Sequence, residues 1–238
     1  METHAHELHK APGHGWKHYL FEFFMLFLAV FCGFLAENIR ERNLEKERES
    51  QFIKSLAQDI KSDNKLLDSL GRGWESGYKA ADSLRKLISG PGIVNNGLYA
   101  FQLWDSATGF DDFVPNDGTI QQLMNSGGLR LLSKRDVVDS IMAYKKSIEL
   151  IKILETHMSE RQIDNNIKYE IFDAISIFND QEKKNIPFLD TDKKLLNRAF
   201  GYISHWRTNF KWLHHYSIVA QERGNGLLKI IKEEYDIY

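Results

Sequence analysis

From Phe23 to Ala36 every position is apolar or small, FFMLFLAVFCGFLA, and with no intervening proline the chain then turns into mixed acids and bases, ENIRERNLEKERES. With its flanks the run extends from Tyr19 to Ile39, about the length needed to cross hydrocarbon. It has no polar side that would let a helix lie flat in an interface. Trp16 and Tyr19 stand where an aromatic belt meets the headgroups. Small residues at Gly33 and Ala36 offer a cleavage site, but the helix-forming pattern runs straight through them, unlike the end of a secretory signal. The pattern therefore predicts a transmembrane helix over 19–39, with a buried core helix or an uncleaved signal as the alternative.

Residues 40–70 read as a solvated neck passing into a first bundle helix. Glu45 and Arg48 attract at i,i+3, whereas Glu41 with Glu45 and Arg42 with Lys46 repel at i,i+4. Apolar residues then return at Ile53, Leu56, Ile60, Leu67 and Leu70, a helical stripe with one gap at Asp63. Gly71 and Gly73 read as a stop, and WESGYKAADSLRKLIS as a second helix ending at Gly90-Pro91-Gly92. LYAFQLWDSA predicts a short helix. DDFVPNDGTIQQLMNSGG predicts an extended turn, a helix capped by Asn116 or Asp117, and a glycine stop. Val137, Ile141, Tyr144, Ile148, Ile151, Leu154 and Met158 mark a long helix, capped by Ser133. Its period resumes from Ile163 to Phe178 after the polar dip SERQIDNN, as one helix or after a kink or break. Asp190 or Thr191 caps the last helix, with Leu195, Ala199, Ile203, Trp206, Phe210, Leu213, Ser217 and Ala220 on one face, loosened or ended by Gly224 and Gly226. The expected fold is all-α: an N-terminal transmembrane helix, a long neck helix and an antiparallel helical bundle making up 71–238.

A net charge of −2 over 238 residues leaves no polyanion-binding signature, so nucleic acid is not an expected partner. The single cysteine, Cys32, lies within the apolar run and cannot close an intramolecular disulfide. The first 18 residues, with His4, His6, His9, His14 and His18 among Pro12, Gly13 and Gly15, read as a mobile tail. No scaffold there fixes a metal-ligand spacing, and neither metal nor cofactor is expected.

Candidate chemistry is sparse. Glu22 lies about one turn inside the start of the span, where the helix dipole favours an acid and water is in reach; a polar contact with a neighbouring helix is the alternative. Ala29, Gly33 and Ala36 form a stripe of small residues on which a second helix could approach closely, so Glu22 and this stripe are the helix-association candidates. Asn116, Asp117, Thr119 and Gln122 gather polar groups at one helix start and read as a capping site or a polar-ligand site. In YISHWRTNFKWLHHY, His205, Trp212 and His215 fall toward the edges of the core stripe as candidates for a partner surface, and adjacent His214 and His215 lack metal-pair spacing. No phosphate-cradling, zinc-catalytic or nucleophile-elbow motif occurs, so no catalytic residue is assigned and an enzyme is not expected.

Glu22, LAENIRERNLEKE, and VPNDGTIQQLMNSGGLRLLSKRDVVDSIMAY at 114–144 together resemble an uncharacterised family of single-span helical membrane proteins of Gram-negative bacteria, a domain of unknown function. The shared pattern is an acid at the entry to an apolar span, a charged helix leaving it, an Asn-Asp-x-Thr helix start and a Ser-Gly-x-Leu turn. It covers roughly 19–70 and 114–151. The His-rich head, the Phe-rich span and an extra Gly128 before Leu129 depart from it. The resemblance implies the inner membrane, the N-terminus in the cytoplasm and the C-terminal domain in the periplasm. Lys10 and Lys17 before the span, against Arg40, Arg42, Lys46 and Arg48 after it, favour the opposite orientation. The expected function is a membrane-anchored scaffold or accessory subunit of an envelope complex, in contact with lipid and associating with itself or other membrane proteins. The alternative is a small-ligand-binding sensor bundle acting through a partner.

Overall fold

The computed structural model describes residues 15–91, 96–161, 167–179 and 188–236. The chain is all-α, with no strand among these residues and only an isolated bridge between Phe172 and Phe188. Among the described residues seven α-helices follow in order: α1 Trp16–Ser89, α2 Gly97–Thr108, α3 Gly118–Asn125, α4 Arg135–Arg161, α5 Ile167–Ile171, α6 Ala174–Asn179 and α7 Lys193–Tyr235. Two compact units divide the chain between Glu49 and Ser50.

In the first unit α1 carries the apolar run, and its large side chains are exposed, from Leu28 at 40% to Val30 at 74%. Of the described helices, α1 alone is long and apolar enough to cross a membrane. Phe23, Phe27 and Phe31 stack at i,i+4, with centroids 6.5 and 6.0 Å apart. At 100° per residue, Ala29, Gly33 and Ala36 fall on the opposite side of the helix. Residues 1–14 of the expected tail lie outside the described residues, whereas Trp16, Lys17 and His18 already belong to α1.

The second unit is a bundle built on α7. Gly224 lies against Ile60 and Asn64, Gly71 against Ser217, Gly77 against Phe210, and Asp82 bonds Arg207. Numbers that rise along α1 fall along α7, so the two run antiparallel. Arg223 donates to the Ala143 carbonyl at 2.8 Å and Lys134 pairs with Glu234 at 2.6 Å, which makes α4 antiparallel to α7 as well. The Ser50–Ser89 portion of α1 and α4 thus run parallel to each other, both packed on α7.

One core joins Ile53, Ile60, Leu67 and Trp74 of α1 with Ile120, Leu123, the Val137–Met158 stripe of α4, and Trp206, Phe210 and Leu213 of α7. A second core joins Ala81 and Leu84 with Phe101 and Trp104 of α2, Ile167 and Ile171 of α5, and Leu195, Ala199 and Ile203 of α7. The start of α7 is fixed by Asp192, whose carboxylate accepts the Lys194 and Leu195 N–H groups; Asp190 instead accepts the Asp192 N–H at 2.8 Å. The cap therefore lies beyond the expected Asp190 or Thr191, and it satisfies two otherwise orphaned donors.

Two expectations based on glycine do not hold. Gly71 and Gly73 lie inside an unbroken α1, and Gly224 and Gly226 lie inside an unbroken α7. A Cβ on Gly77 would meet the Phe210 ring at 2.8 Å, and one on Gly224 would meet Asn64 Oδ1 at 2.7 Å. These two glycines let the helices approach, and the many contacts of that approach outweigh the roughly 1 kcal/mol cost of glycine in a helix. α4 runs to Arg161, residues 162–166 of the polar dip lie outside the described set, and the resumed period is divided at Phe172–Asp173 into the two short helices α5 and α6.

Candidate functional site

Asp63 occupies the position that left a gap in the α1 stripe. It is 2% exposed. Its Oδ1 accepts both the backbone N–H and the side-chain Nδ2–H of Asn116 at 2.8 Å, and its Oδ2 accepts the Tyr144 hydroxyl at 2.9 Å. Tyr144 is buried on α4, and its phenol pKa is raised well above the ordinary value by burial first and the Asp63 charge second. The phenol therefore stays protonated and donates to the carboxylate.

A second buried acid grips the same chain segment from the other side. Glu155 of α4, 1% exposed, accepts the Phe113 N–H at 2.6 Å; Lys152 donates to the Phe113 carbonyl at 2.9 Å and to Glu155 at 2.8 Å. Residues 109–117, the connection from α2 to α3, are thus held by their backbone between one carboxylate from α1 and one from α4. Such charge-assisted bonds are stronger than neutral ones.

Beside this strap lies a cleft of about 350 Å³. Asp63 and Tyr144 contribute to its wall, Ile120, Met124 and Ile148 supply apolar surface, and Asp117, Lys145, Glu149 and Lys152 surround it. Asp117 precedes α3 but makes no side-chain cap bond to that helix; its Oδ2 accepts Gln121 Nε2–H at 2.6 Å. Asn116 spends its side chain on Asp63. Thr119 is half-buried, and Gln122 is exposed with its carbonyl accepting the Ser126 N–H and hydroxyl. Of the four polar residues expected at this helix start, only Asp117 lines the cleft and Asn116 anchors its wall. Asp63 and Glu155 were not among them, although an acid at a stripe position was visible in both helices.

The aromatic and histidine cluster is dispersed over α7. His205 is half-buried and accepts Asn209 Nδ2–H at 2.9 Å through Nε2. Trp212 is 46% exposed, stacks on Tyr216 at 5.8 Å, and meets the exposed His215 edge-on at 5.7 Å. Trp212 and Tyr216 line a shallow groove with Leu150, Ile153, Leu154 and His157 of α4, and neither His205 nor His215 lines it. His214 Nδ1–H donates to the Gly71 carbonyl at 3.0 Å, tying α7 to α1. No group of three metal-ligating side chains occurs among the described residues. In the first unit Glu22 and the Ala29–Gly33–Ala36 stripe are exposed, and a Cβ on Gly33 would meet nothing within 4 Å.

Burial raises the Glu155 pKa above the ordinary glutamate range, an effect that its bonds to Lys152 and Phe113 only partly offset. A carboxyl with a raised native pKa binds its proton more tightly folded than unfolded, so its contribution to stability falls as pH rises from the ordinary glutamate range through the native value. Asp82 acts in the opposite sense: Lys86 and Arg207 hold its pKa down, and that stability is lost on acidification. Glu155→Gln should remove the first dependence alone. The difference between variant and parent in urea unfolding free energy should then grow with pH over that window and level off above it. A parallel offset at every pH would show that Glu155 does not titrate with folding.

Comparison with known protein families, curated proteins and solved structures finds no match to this chain.

Proposed function

We propose that this chain is a membrane-anchored helical scaffold or accessory subunit of an envelope complex. The apolar part of α1 spans the inner membrane once, with the N-terminus cytoplasmic and the bundle periplasmic, the arrangement implied by the resemblance to the uncharacterised single-span family. The observation that carries this reading is the exposed apolar surface from Trp16 to Ile39, where fifteen large hydrophobic side chains are exposed. A surface of this kind far exceeds the few hundred Å² of contiguous apolar patch that a water-soluble monomer tolerates.

Within the bundle, several ion pairs join elements. Arg207 reaches Asp82 at 2.7 Å and Tyr78 at 2.6 Å, and Lys168 pairs with Asp105 over the Phe101 ring. A body held together in this way suits presentation of a fixed surface. The face opposite the Phe23–Phe27–Phe31 stack, lined by Ala29, Gly33 and Ala36, suits association with a second copy or another membrane protein. A second reading, a ligand-binding bundle that signals through a partner, is favoured by the cleft over Asp63.

Alkaline carbonate washing of membranes that contain the full chain tests the anchor. The protein should remain in the pellet, and a chain lacking residues 19–39 should move to the supernatant. Release of the full chain would remove the anchor reading. Affinity isolation from detergent-solubilised membranes should then recover membrane-protein partners or additional copies of the chain.

A further inference from the structure

We propose that the cleft over Asp63 binds a small organic cation, a primary ammonium group carried on a short apolar body. The inference deepens the ligand-binding reading and rests on it, independently of the membrane anchor. Charge within the cleft selects the sign of the ligand. Lys145 is paired with Glu149, and Lys152 is spent on Glu155 and the Phe113 carbonyl. Asp63 and Asp117 accept hydrogen bonds only from neutral groups, and among the described residues no lysine or arginine nitrogen reaches either within ion-pair distance. The cleft therefore keeps an uncompensated negative charge, and one of its bearers, Asp63, is almost wholly removed from solvent.

Hydrogen-bond capacity selects the group. A carboxylate has about four acceptor positions. Asn116 fills two on Oδ1 and Tyr144 one on Oδ2, which leaves Oδ2 able to accept once more. The Tyr144 oxygen, having donated to Asp63, keeps its own acceptor capacity beside it. Two acceptors on adjacent side chains match an ammonium, which has three donors and no acceptor. A carboxylate or phosphate ligand would instead face Asp63 and Asp117 with like charge and no unspent cation.

Shape selects the remainder. The cleft, at about 350 Å³, lies at the small end of the ~300–1,000 Å³ range typical of ligand sites. Ile120, Met124 and Ile148 offer an apolar wall to whatever carries the ammonium. Burial of both parts at once is what separates such a site from a solvated surface acid, where an ion pair contributes little.

The test uses the full chain in zwitterionic lipid nanodiscs, with saturation-transfer NMR measured against empty discs. The probes are 2-phenylethylamine, its neutral analogue 2-phenylethanol and the anionic analogue 3-phenylpropanoate. The amine should bind at least tenfold more tightly than the alcohol, and the propanoate should give no saturable signal. Asp63→Asn, which keeps an acceptor for Asn116, should weaken the amine at least tenfold and bring it level with the alcohol. Met124→Trp, at a position 38% exposed, should block the cleft and weaken both amine and alcohol without altering the melting temperature. Equal binding of amine and alcohol, or no binding of the amine, would overturn the proposal. So would full amine affinity in either variant. If Asp63→Asn fails to fold, Met124→Trp decides alone. Amine binding by a chain that carbonate strips from membranes would uphold the cleft and reject the anchor, and the converse result would do the reverse.

Discussion

Gly77→Leu is expected to destabilise the bundle by about 3 kcal/mol, whereas Gly73→Leu, four residues earlier on the same helix, should stabilise it by up to about 1 kcal/mol. A side chain at 77 would begin 2.8 Å from Cε2 and Cζ of Phe210. That ring is 1% exposed and packs on Trp206 with centroids 5.8 Å apart, so it has no free space in which to yield. At Gly73 nothing lies within 4 Å of the new Cβ, and the substitution only replaces a poor helix former by a good one. Urea unfolding of the detergent-solubilised protein, followed by tryptophan fluorescence, measures both. Equal effects at the two positions would mean that these glycines act through backbone flexibility and not through contact.

Asp63→Leu should cost a similar amount, about 3 kcal/mol, through a different mechanism. The apolar side chain fits the stripe of Ile60 and Leu67, yet it orphans the Asn116 N–H and the Tyr144 hydroxyl. Each buried unsatisfied donor costs about 1–3 kcal/mol. The additional Asp63→Leu, Tyr144→Phe double variant should recover part of the loss, because it removes one orphan along with its acceptor. The segment 109–117 should also lose protection: amide exchange at Asn116 should accelerate far more than exchange in α7. A loss of stability without local exposure at Asn116 would show that the acid does not hold the strap.

These two residues also show what the sequence made legible. Where a single helix buries one stripe, periodicity located most of it: the Leu195–Ala220 face of α7 is buried as its spacing predicts, and so is the Val137–Met158 face of α4 except at Leu154, which is half-buried while Glu155 takes the buried position. Gly71 and Gly224 resisted the same reading because a helix stop and a close helix contact call for the same residue. Only Ser217 beside the first and Asn64 beside the second, each more than a hundred residues away in the chain, decide between them. Asp63 was visible as a break in its stripe, but the donors that make it a buried anchor come from Asn116 and Tyr144, at separations of 53 and 81 residues. Asp117 was legible as a helix-start residue, but its side chain bonds Gln121 and leaves the α3 cap unmade. Local signals in this chain fix elements, and the site is made of contacts that cross between them.

The parallel course of α4 and the later part of α1, both packed on α7, sets an order on biogenesis. Asp82 must wait 125 residues for Arg207, and Asn64 must wait 161 for Asn225. While the chain emerges from the ribosome, the apolar stripes of α1 and α4 are both complete before the helix that covers them exists, a situation in which long-range topologies fold slowly and attract aggregation. The two stripes therefore stay without their cover until α7 has been synthesised.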